Sequence, residues 1–495
     1  MASNFFLAID QGTTGSTALV LDASGATRAR ATVEFPQIFP KPGWVEHAPS
    51  AILESVQRSI REALSKGGID AKDIRAIGIT NQRETTVVWN KHTGAPIANA
   101  IVWQCRRTAD VCEKLRAEGK QEWVAEKTGL VLDAYFSGTK VAWLLDHTPS
   151  AREASARGDL LFGTIDTYLV YELTGRKEHV TDVTNASRTL LMDLASLSWD
   201  QGLCDLFRVP RSMLPRIVGC AEVVGHTKGF DVLPDGIPIA GIAGDQQAAL
   251  FGQACFDVGN AKCTYGTGAF VLMNVGASPV RSHSGLLTTV AWSIGGKTSY
   301  ALEGSSFIAG AAVQWLRDGL GLIREASEIE PLALSVTGSE GVSFVPALSG
   351  LGAPYWDPAA RGVLSGLTRG TNKGHIARAT LEGIAFQVWD LLAAMQKDST
   401  TALRLLKVDG GAARNDLLMQ FQSDVANVVV ARPKDIESTA RGAAMLAAIG
   451  SGEMTLESTR QMVTEDRAFK PSMSENDRAS RLKAWEQAVK RAQIH

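Results

Sequence analysis

The chain has no Cys-x-x-Cys pair. Its six cysteines, Cys105, Cys112, Cys204, Cys220, Cys255 and Cys263, are scattered and stand at no spacing from histidine that suggests zinc. That pattern excludes a zinc ribbon and a disulfide framework and leaves reduced core thiols. Charge of one sign is also lacking. Fifty Lys and Arg face fifty-two Asp and Glu for a formal charge of -2, and neither sign gathers in long blocks, which argues against an electrostatic grip on nucleic acid. The first ten residues have neither the basic start nor the long apolar stretch of a secretory signal, so a cytoplasmic setting is expected. The longest uncharged run, residues 263–280, contains three glycines, Asn274 and Pro279, and is therefore read as soluble structure and not as a membrane span.

What is present is the composition of a large folded protein. Apolar residues make up 45% and charged residues 21%, so a sizeable core can form and long disorder is not expected. A length of 495 residues exceeds what one core usually organises. The chain opens as strand, polar turn, strand over residues 5–9, 11–16 and 17–21. Helical spacing follows over 50–64, a buried strand over 74–79, a strand at 100–103, and helices near 109–115 and 139–145. These alternations predict a mixed α/β layer architecture. A second opening is predicted from a strand over 237–244, a helix over 246–253, and a strand–turn–strand over 261–275 tipped by Gly266-Thr267-Gly268. Two Gly/Thr tips about half the chain apart suggest two halves of related design, divided near residue 250. Further helices are expected over 310–316, 373–396 and 415–425, a Gly/Pro-rich loop over 349–358, and a charged helical tail beyond Gly452.

Three segments are candidates for chemistry, and a fourth is a decoy. The tip Asp10-Gln11-Gly12-Thr13-Thr14 offers free backbone N–H groups and hydroxyls to phosphate oxygens, with Asp10 placed for a phosphate-bound magnesium; it reads equally as an ordinary turn. Asp245, in Gly244-Asp245-Gln246-Gln247, stands where a strand opens into a helix, either as an N-cap or as a general base for a hydroxyl. The paired glycines of Val408-Asp409-Gly410-Gly411-Ala412-Ala413-Arg414-Asn415 allow a flat ring close to the backbone, or simply start a helix. Gly295-Gly296-Lys297-Thr298 ends like a Walker A loop, but Ala291 stands where its first glycine belongs and strands flank it, so a plain hairpin is expected.

Taken together, the chain resembles, nearly end to end, the carbohydrate kinases that share the actin and Hsp70 ATPase fold. Two long stretches carry the likeness: Tyr135-Phe136-Ser137-Gly138-Thr139-Lys140-Val141-Ala142-Trp143, and Gly362-Val363-Leu364-Ser365-Gly366-Leu367 running on through His375-Ile376 to Leu381-Glu382. The segments Ile79-Thr80-Asn81-Gln82-Arg83-Glu84-Thr85-Thr86, Ile101-Val102-Trp103-Gln104-Cys105-Arg106-Arg107 and Gly244-Asp245-Gln246-Gln247-Ala248-Ala249-Leu250 are similar to those of the members that act on glycerol.

The resemblance implies two actin-like, ribonuclease H-like ATPase domains flanking a cleft. Residues 1–250 would hold the polyol site and the first phosphate hairpin, and residues 251–495 the second hairpin and the adenosine site. It implies transfer of a phosphoryl group from ATP, with Mg2+, to glycerol, giving sn-glycerol 3-phosphate. Asp245 would act as general base. Arg83, Glu84, Tyr135, Asp245 and Gln246 would bind the hydroxyls, and Trp103 and Phe270 would wall the carbons. Thr13, Thr14 and Gly15 from one hairpin and Thr267 from the other would meet the phosphates, Gly310, Gln314, Gly411 and Asn415 would lie toward the nucleoside, and Asp10 and Asp245 near magnesium. A homodimer or homotetramer is expected. The rivals are a same-family kinase of another polyol or a ketose, and a non-catalytic actin-like ATPase switch. Two departures stand out. Relatives often continue the first tip as Ser-Ser-Arg where this chain has Gly15-Ser16-Thr17, which predicts a weaker hold on nucleotide unless another cation substitutes. The stretch 227–236 also lacks the Gly-Gly-Thr-Arg-like loop through which some relatives bind a sugar bisphosphate.

Overall fold

The computed structural model describes residues 4–494, so the first three residues of the stretch read above for a secretory signal lie outside the described residues. The first sheet is built from β1 (Phe5–Gln11), β2 (Gly15–Asp22), β3 (Thr27–Glu34), β4 (Ile74–Asn81), β5 (Gly225–His226) and β6 (Pro238–Gly244), in the order β5-β6-β4-β1-β2-β3. β1, β2 and β3 form an antiparallel meander, while β4 and β6 run parallel to β1 and to each other. The second sheet has β7 (Asn260–Tyr265), β8 (Ala269–Gly276), β9 (Leu287–Ile294), β10 (Lys297–Ser306), β11 (Leu405–Asp409), β12 (Val430–Pro433) and β13 (Glu465–Phe469), in the order β9-β10-β8-β7-β11-β12-β13. Here again an antiparallel run, β7-β8-β10, lies on one side of the first strand, and parallel β11 and β12 lie on the other. The two halves therefore share the spatial order and direction of five central strands, β3-β2-β1-β4-β6 in the first and β10-β8-β7-β11-β12 in the second, although in the second the edge strand β9 intervenes in sequence before β10.

Alternation along β1 sends its residues to two different cores. Leu7 and Ile9 face α1 (Pro49–Gly67), where Ile52, Val56 and Ile60 are buried against them. Phe6 and Ala8 face the other way, into the junction between the halves. That junction is filled by α7 (Ser438–Gly450), which follows β12 in sequence but packs on β1, β4, β6 and α3 (Asp245–Gly252) of the first half. The approach is backbone to backbone. A Cβ on Gly78 would stand 2.0 Å from Ala443 O, one on Gly241 2.4 Å from Ala447 N, and one on Gly442 1.9 Å from Ala248 O. Only glycine fits at such crossings.

Most predicted elements occur, with shifted ends: α2 (Ser137–His147), α4 (Gly310–Asp318), α5 (Lys373–Ser399) and α6 (Asp416–Ala426). The strand expected at 100–103 is only Ala100–Ile101. Gly295 and Gly296, at φ +57 and +77, join β9 to β10 as a two-residue hairpin with Ile294 opposite Lys297, as the sequence predicts. The tail differs from expectation. Besides the helix α8 (Glu475–Ala492) it supplies β13, an exposed edge strand whose charges hide its strand character while protecting the edge. Among the described residues no helix is long and apolar enough to cross a membrane.

Candidate active site

Three neighbouring parallel strands end together. Gln11 of β1 pairs with Asn81 of β4, and Asn81 with Gly244 of β6, so the residues that follow each strand open on one crevice. The carboxyl ends of parallel strands are where α/β sheets bind ligands, because successive loops diverge there. β1 delivers Asp10 and the tip Thr13–Gly15, β4 delivers Arg83 and Glu84, and β6 delivers Asp245. Gly244 is the N-cap of α3 and Asp245 its first helical residue, so the carboxylate does not cap the helix end. Its Oδ1 accepts from Gln246 N at 2.7 Å and lies 3.1 Å from Arg83 Nε. Oδ2 has no hydrogen bond among the described residues and faces open space, the side chain being 32% exposed.

Arg83 is buried, and each of its three side-chain nitrogens meets a carboxylate. Its terminal nitrogens donate to both oxygens of Glu303, at 2.6 and 2.8 Å. Glu303 also lies 3.2 Å from Arg188 Nη2, and Arg188 Nε donates to Glu84 Oε1 at 2.7 Å. Burial opposes every charge in this chain of ion pairs, and the outcome differs along it: burial prevails at Glu84, whose carboxyl is raised despite Arg188 and Arg83, and attraction prevails at Glu303 and Arg83. Burial raises the Glu303 carboxyl, but Arg188 and Arg83 outweigh it and hold it down at about 2. Burial likewise lowers the Arg83 guanidinium, yet Glu303 and Glu84 push it well above its usual value. Glu84 sits at φ 60, and its carbonyl accepts from Ser137 Oγ at 3.0 Å, which fixes this strained residue against the start of α2.

Trp103 and Tyr135 form the wall beside these charges, their rings edge to face at 5.5 Å. Trp103 Nε1 donates to Thr13 Oγ1 at 2.9 Å, tying the wall to the first hairpin tip. That tip is closed by Gly12 N to Gly15 O at 2.9 Å, and the second by Gly266 N to Gly268 O at 2.9 Å. Thr14 and Thr267 are exposed at the two tips. Helix α4 rests on the second tip, with Ala309 and Ala311 N–H groups on Thr267 O, which sets Gly310 beside Gly266 and exposes Gln314 a turn later. Gly411 is exposed with open space around its Cα, and Asn415 Oδ1 caps α6 through Leu418 N at 2.8 Å. Phe270, partly exposed, lies opposite Thr264 and Ser305 on the sheet face that also carries Lys262, Glu303 and Asp409.

Asp10 lies at the base of the crevice, where burial, with Asp245 and Glu437 adding repulsion, raises its carboxyl to about 7 against the opposing pull of Arg30. Beside it, Thr80 Oγ1 is buried without a hydrogen-bond partner, and so is Asp409 Oδ1 from the second sheet. Among the described residues no three His, Cys, Asp or Glu side chains are arranged to hold a metal by themselves.

The chain matches one family in two parts, the N-terminal domain of the FGGY carbohydrate kinases over residues 5–252 and their C-terminal domain over 261–451. The chain belongs to the FGGY family of carbohydrate kinases. Among FGGY members, a glycerol kinase of Myxococcus xanthus is 55% identical over 493 residues, covering 99% of both chains. A second, glycerol kinase 2 of Thermotoga maritima, is 53% identical over 489 residues, covering 99% of this chain and 98% of its own. A crystal structure of Plasmodium falciparum glycerol kinase with ADP superposes at a TM-score of 0.94 and 37% identity, covering 100% of this chain and 99% of that one. The two-part actin-like α/β architecture expected from the FGGY resemblance is thereby established.

Sequence reasoning missed Arg188, Glu303 and Lys262. Lys262 Nζ donates to Gln246 Oε1 and, at 3.0 Å, to Thr264 Oγ1, orienting Gln246 from the second half. The available signal was a lone charge inside a buried run, at Lys262 in β7 and at Glu303 within residues 300–304 of β10.

Proposed function

We propose that this FGGY chain transfers the γ-phosphoryl group of ATP to glycerol, forming sn-glycerol 3-phosphate and ADP, in the crevice between its two halves. The observation that carries the reading is the convergence of Arg83, Glu84, Trp103, Tyr135 and Asp245 beside the first hairpin tip. A triol needs several convergent donors and acceptors, and a site that leaves one unpaired discriminates strongly against analogues lacking a hydroxyl. Full-length relatives at 53–55% identity that are glycerol kinases support the same substrate.

In this reading Asp245 Oδ2 accepts the proton of a terminal hydroxyl as its oxygen bonds to the γ-phosphorus and the bridging bond to ADP breaks. Arg83, held on Glu303, keeps Asp245 oriented through Oδ1. The tips at Thr13–Gly15 and Thr267 supply N–H and hydroxyl donors to the phosphates, Gly310, Gln314, Gly411 and Asn415 form the nucleoside side, and Phe270 closes the carbon side with Trp103. Asp10 and Asp245 are the carboxylates for magnesium. The residues fit such an ion, because magnesium takes one or two protein carboxylates and otherwise water and phosphate oxygens. Asp10 and Asp245 would hold it, and it would supply neutralisation of phosphate charge. A cytoplasmic homodimer or homotetramer belongs to the same proposal, and light scattering tests the assembly.

Release of ADP coupled to a panel of glycerol, tetritols and ketopentoses tests the reading. Glycerol gives the highest kcat/KM. A ketopentose ranked above it overturns the substrate, and ATP turnover indifferent to all of them overturns the kinase.

A further inference from the structure

The first hairpin tip carries no cation. From Asp10 to Thr17 its only charged side chain is an acid, and Asp245 and Glu437 add two more acids nearby. A nucleotide polyphosphate brought there needs positive charge from another element. Strand register identifies one. Asp10 lies opposite Thr17 on β2, and Thr17 opposite Thr32 on β3, with the two hydroxyls 2.9 Å apart. These three residues occupy the crevice face, since Leu7, Ile9, Ala29, Ala31 and Val33 take the opposite face toward α1. Arg30, two residues before Thr32, is on the crevice face as well, and its side chain is 45% exposed because α7 stops short of β3.

The Arg30 head is not packed into the fold. Nη1 meets Glu437 Oε1 at 3.0 Å, where Glu437 is the residue immediately before α7 in the second half. An exposed pair of this kind contributes only about 0–1 kcal/mol, so it is easily exchanged for a stronger partner. A phosphate is such a partner: the guanidinium fork binds it with two parallel bonds.

We propose that Arg30 is a nucleotide-phosphate ligand of this chain, reaching from β3 over Thr17 toward the first tip and held by Glu437 until nucleotide arrives. This rests on the proposed ATP site and supplies, from the adjacent strand, the cation whose absence at position 17 is plain in the sequence. Glu437 then acts as a competitor: it keeps the guanidinium extended along the crevice and gives it up to the phosphates.

The test reads binding and not turnover. Calorimetric titration with ATP, ADP and adenosine compares the parent with Arg30→Gln, Glu437→Gln, and Arg30→Gln combined with Thr17→Arg. Loss of one charge-assisted contact weakens ATP and ADP by about tenfold and leaves adenosine unchanged. Glu437→Gln strengthens ADP, and Thr17→Arg restores at least half of the loss on a logarithmic scale. If Arg30→Gln binds ATP and ADP within about twofold of the parent, or loses adenosine in the same proportion, the proposal is overturned. A parent that binds no nucleotide fails the kinase reading instead, so the two failures are distinguishable. Thermal unfolding of each variant confirms that the exposed substitution leaves the fold intact.

Discussion

Glu303 on β10 receives both terminal nitrogens of Arg83, at 2.6 and 2.8 Å, from the opposite side of the junction. The Arg83 cluster of the first half is thus completed by a carboxylate of the second. Removing that charge leaves Arg83 and Arg188 buried without their shared partner, a loss of about 3–5 kcal/mol for pairs of this kind. Glu303→Gln is expected to lower the melting temperature by several degrees. It also raises KM for glycerol far more than KM for ATP, and Glu303→Asp recovers part of the loss. Steady-state kinetics with each substrate varied in turn check this, and equal effects on both would show a purely structural role.

Asp245→Asn keeps the size of the side chain and an oxygen for Gln246 N but removes the carboxylate proposed as the base. Turnover is expected to fall about 10²–10⁴-fold. ADP affinity measured by calorimetry stays within a few-fold, so the loss falls on kcat.

The bond from Trp103 Nε1 to Thr13 Oγ1 links the Trp103–Tyr135 wall to the first hairpin tip. A hydrogen bond of this kind is worth about 0.5–1.5 kcal/mol. Trp103→Phe keeps an aromatic wall and is expected to cut kcat/KM about three- to tenfold. In combination with Thr13→Val the two losses are less than additive, and a double-mutant cycle on kcat/KM measures that coupling.

How far the sequence reached follows from where each signal lies. Asp10, Thr13 and Thr14 are legible because a Gly/Thr hairpin is a local pattern, and Asp245 because an apolar strand runs straight into it. The ion pairs behind them are not local. Arg83 finds Glu303 across 220 residues and Arg188 finds Glu84 across 104, and no spacing rule connects such positions. β3 escaped notice although it alternates polar and apolar residues from Arg28 to Glu34, as a half-buried strand does, because its apolar positions are only Ala29, Ala31 and Val33, small side chains that mute the signal. Helix α7 escaped for the opposite reason: from Ala440 to Ala448 every residue is buried, so it has no polar face to reveal its period.

Asp390 gives the protein a pH dependence unrelated to the site. Burial raises its carboxyl from 3.8 to about 7, against hydrogen bonds from Trp485 and Tyr355. The folded state therefore holds a proton that the unfolded state has already lost, and stability declines as pH rises from about 4 through 7. Asp390→Asn removes this term. Calorimetric melting at pH 5 and pH 8 is expected to show the variant gaining on the parent at the higher pH.

Gly442→Ala places a methyl 1.9 Å from Ala248 O, with backbone on both sides. Overpacking of this kind costs about 1–3 kcal/mol or more. Chemical denaturation is expected to show a lower midpoint, whereas Gly296→Ala, beside open space but at φ +77, costs only its local backbone strain.

The seat of α7 also fixes the order in which the molecule can be made. The inner face of the first sheet, with Phe6, Ala8, Ala76 and Ala243, is covered by a helix that ends at Gly450. While a ribosome is still synthesising the second half, that face has no cover, and the first half waits as an incomplete unit. A fragment ending at residue 252 is accordingly expected to be protease-labile alone and to gain resistance when the remaining chain is co-expressed. Limited proteolysis of the two preparations measures the difference.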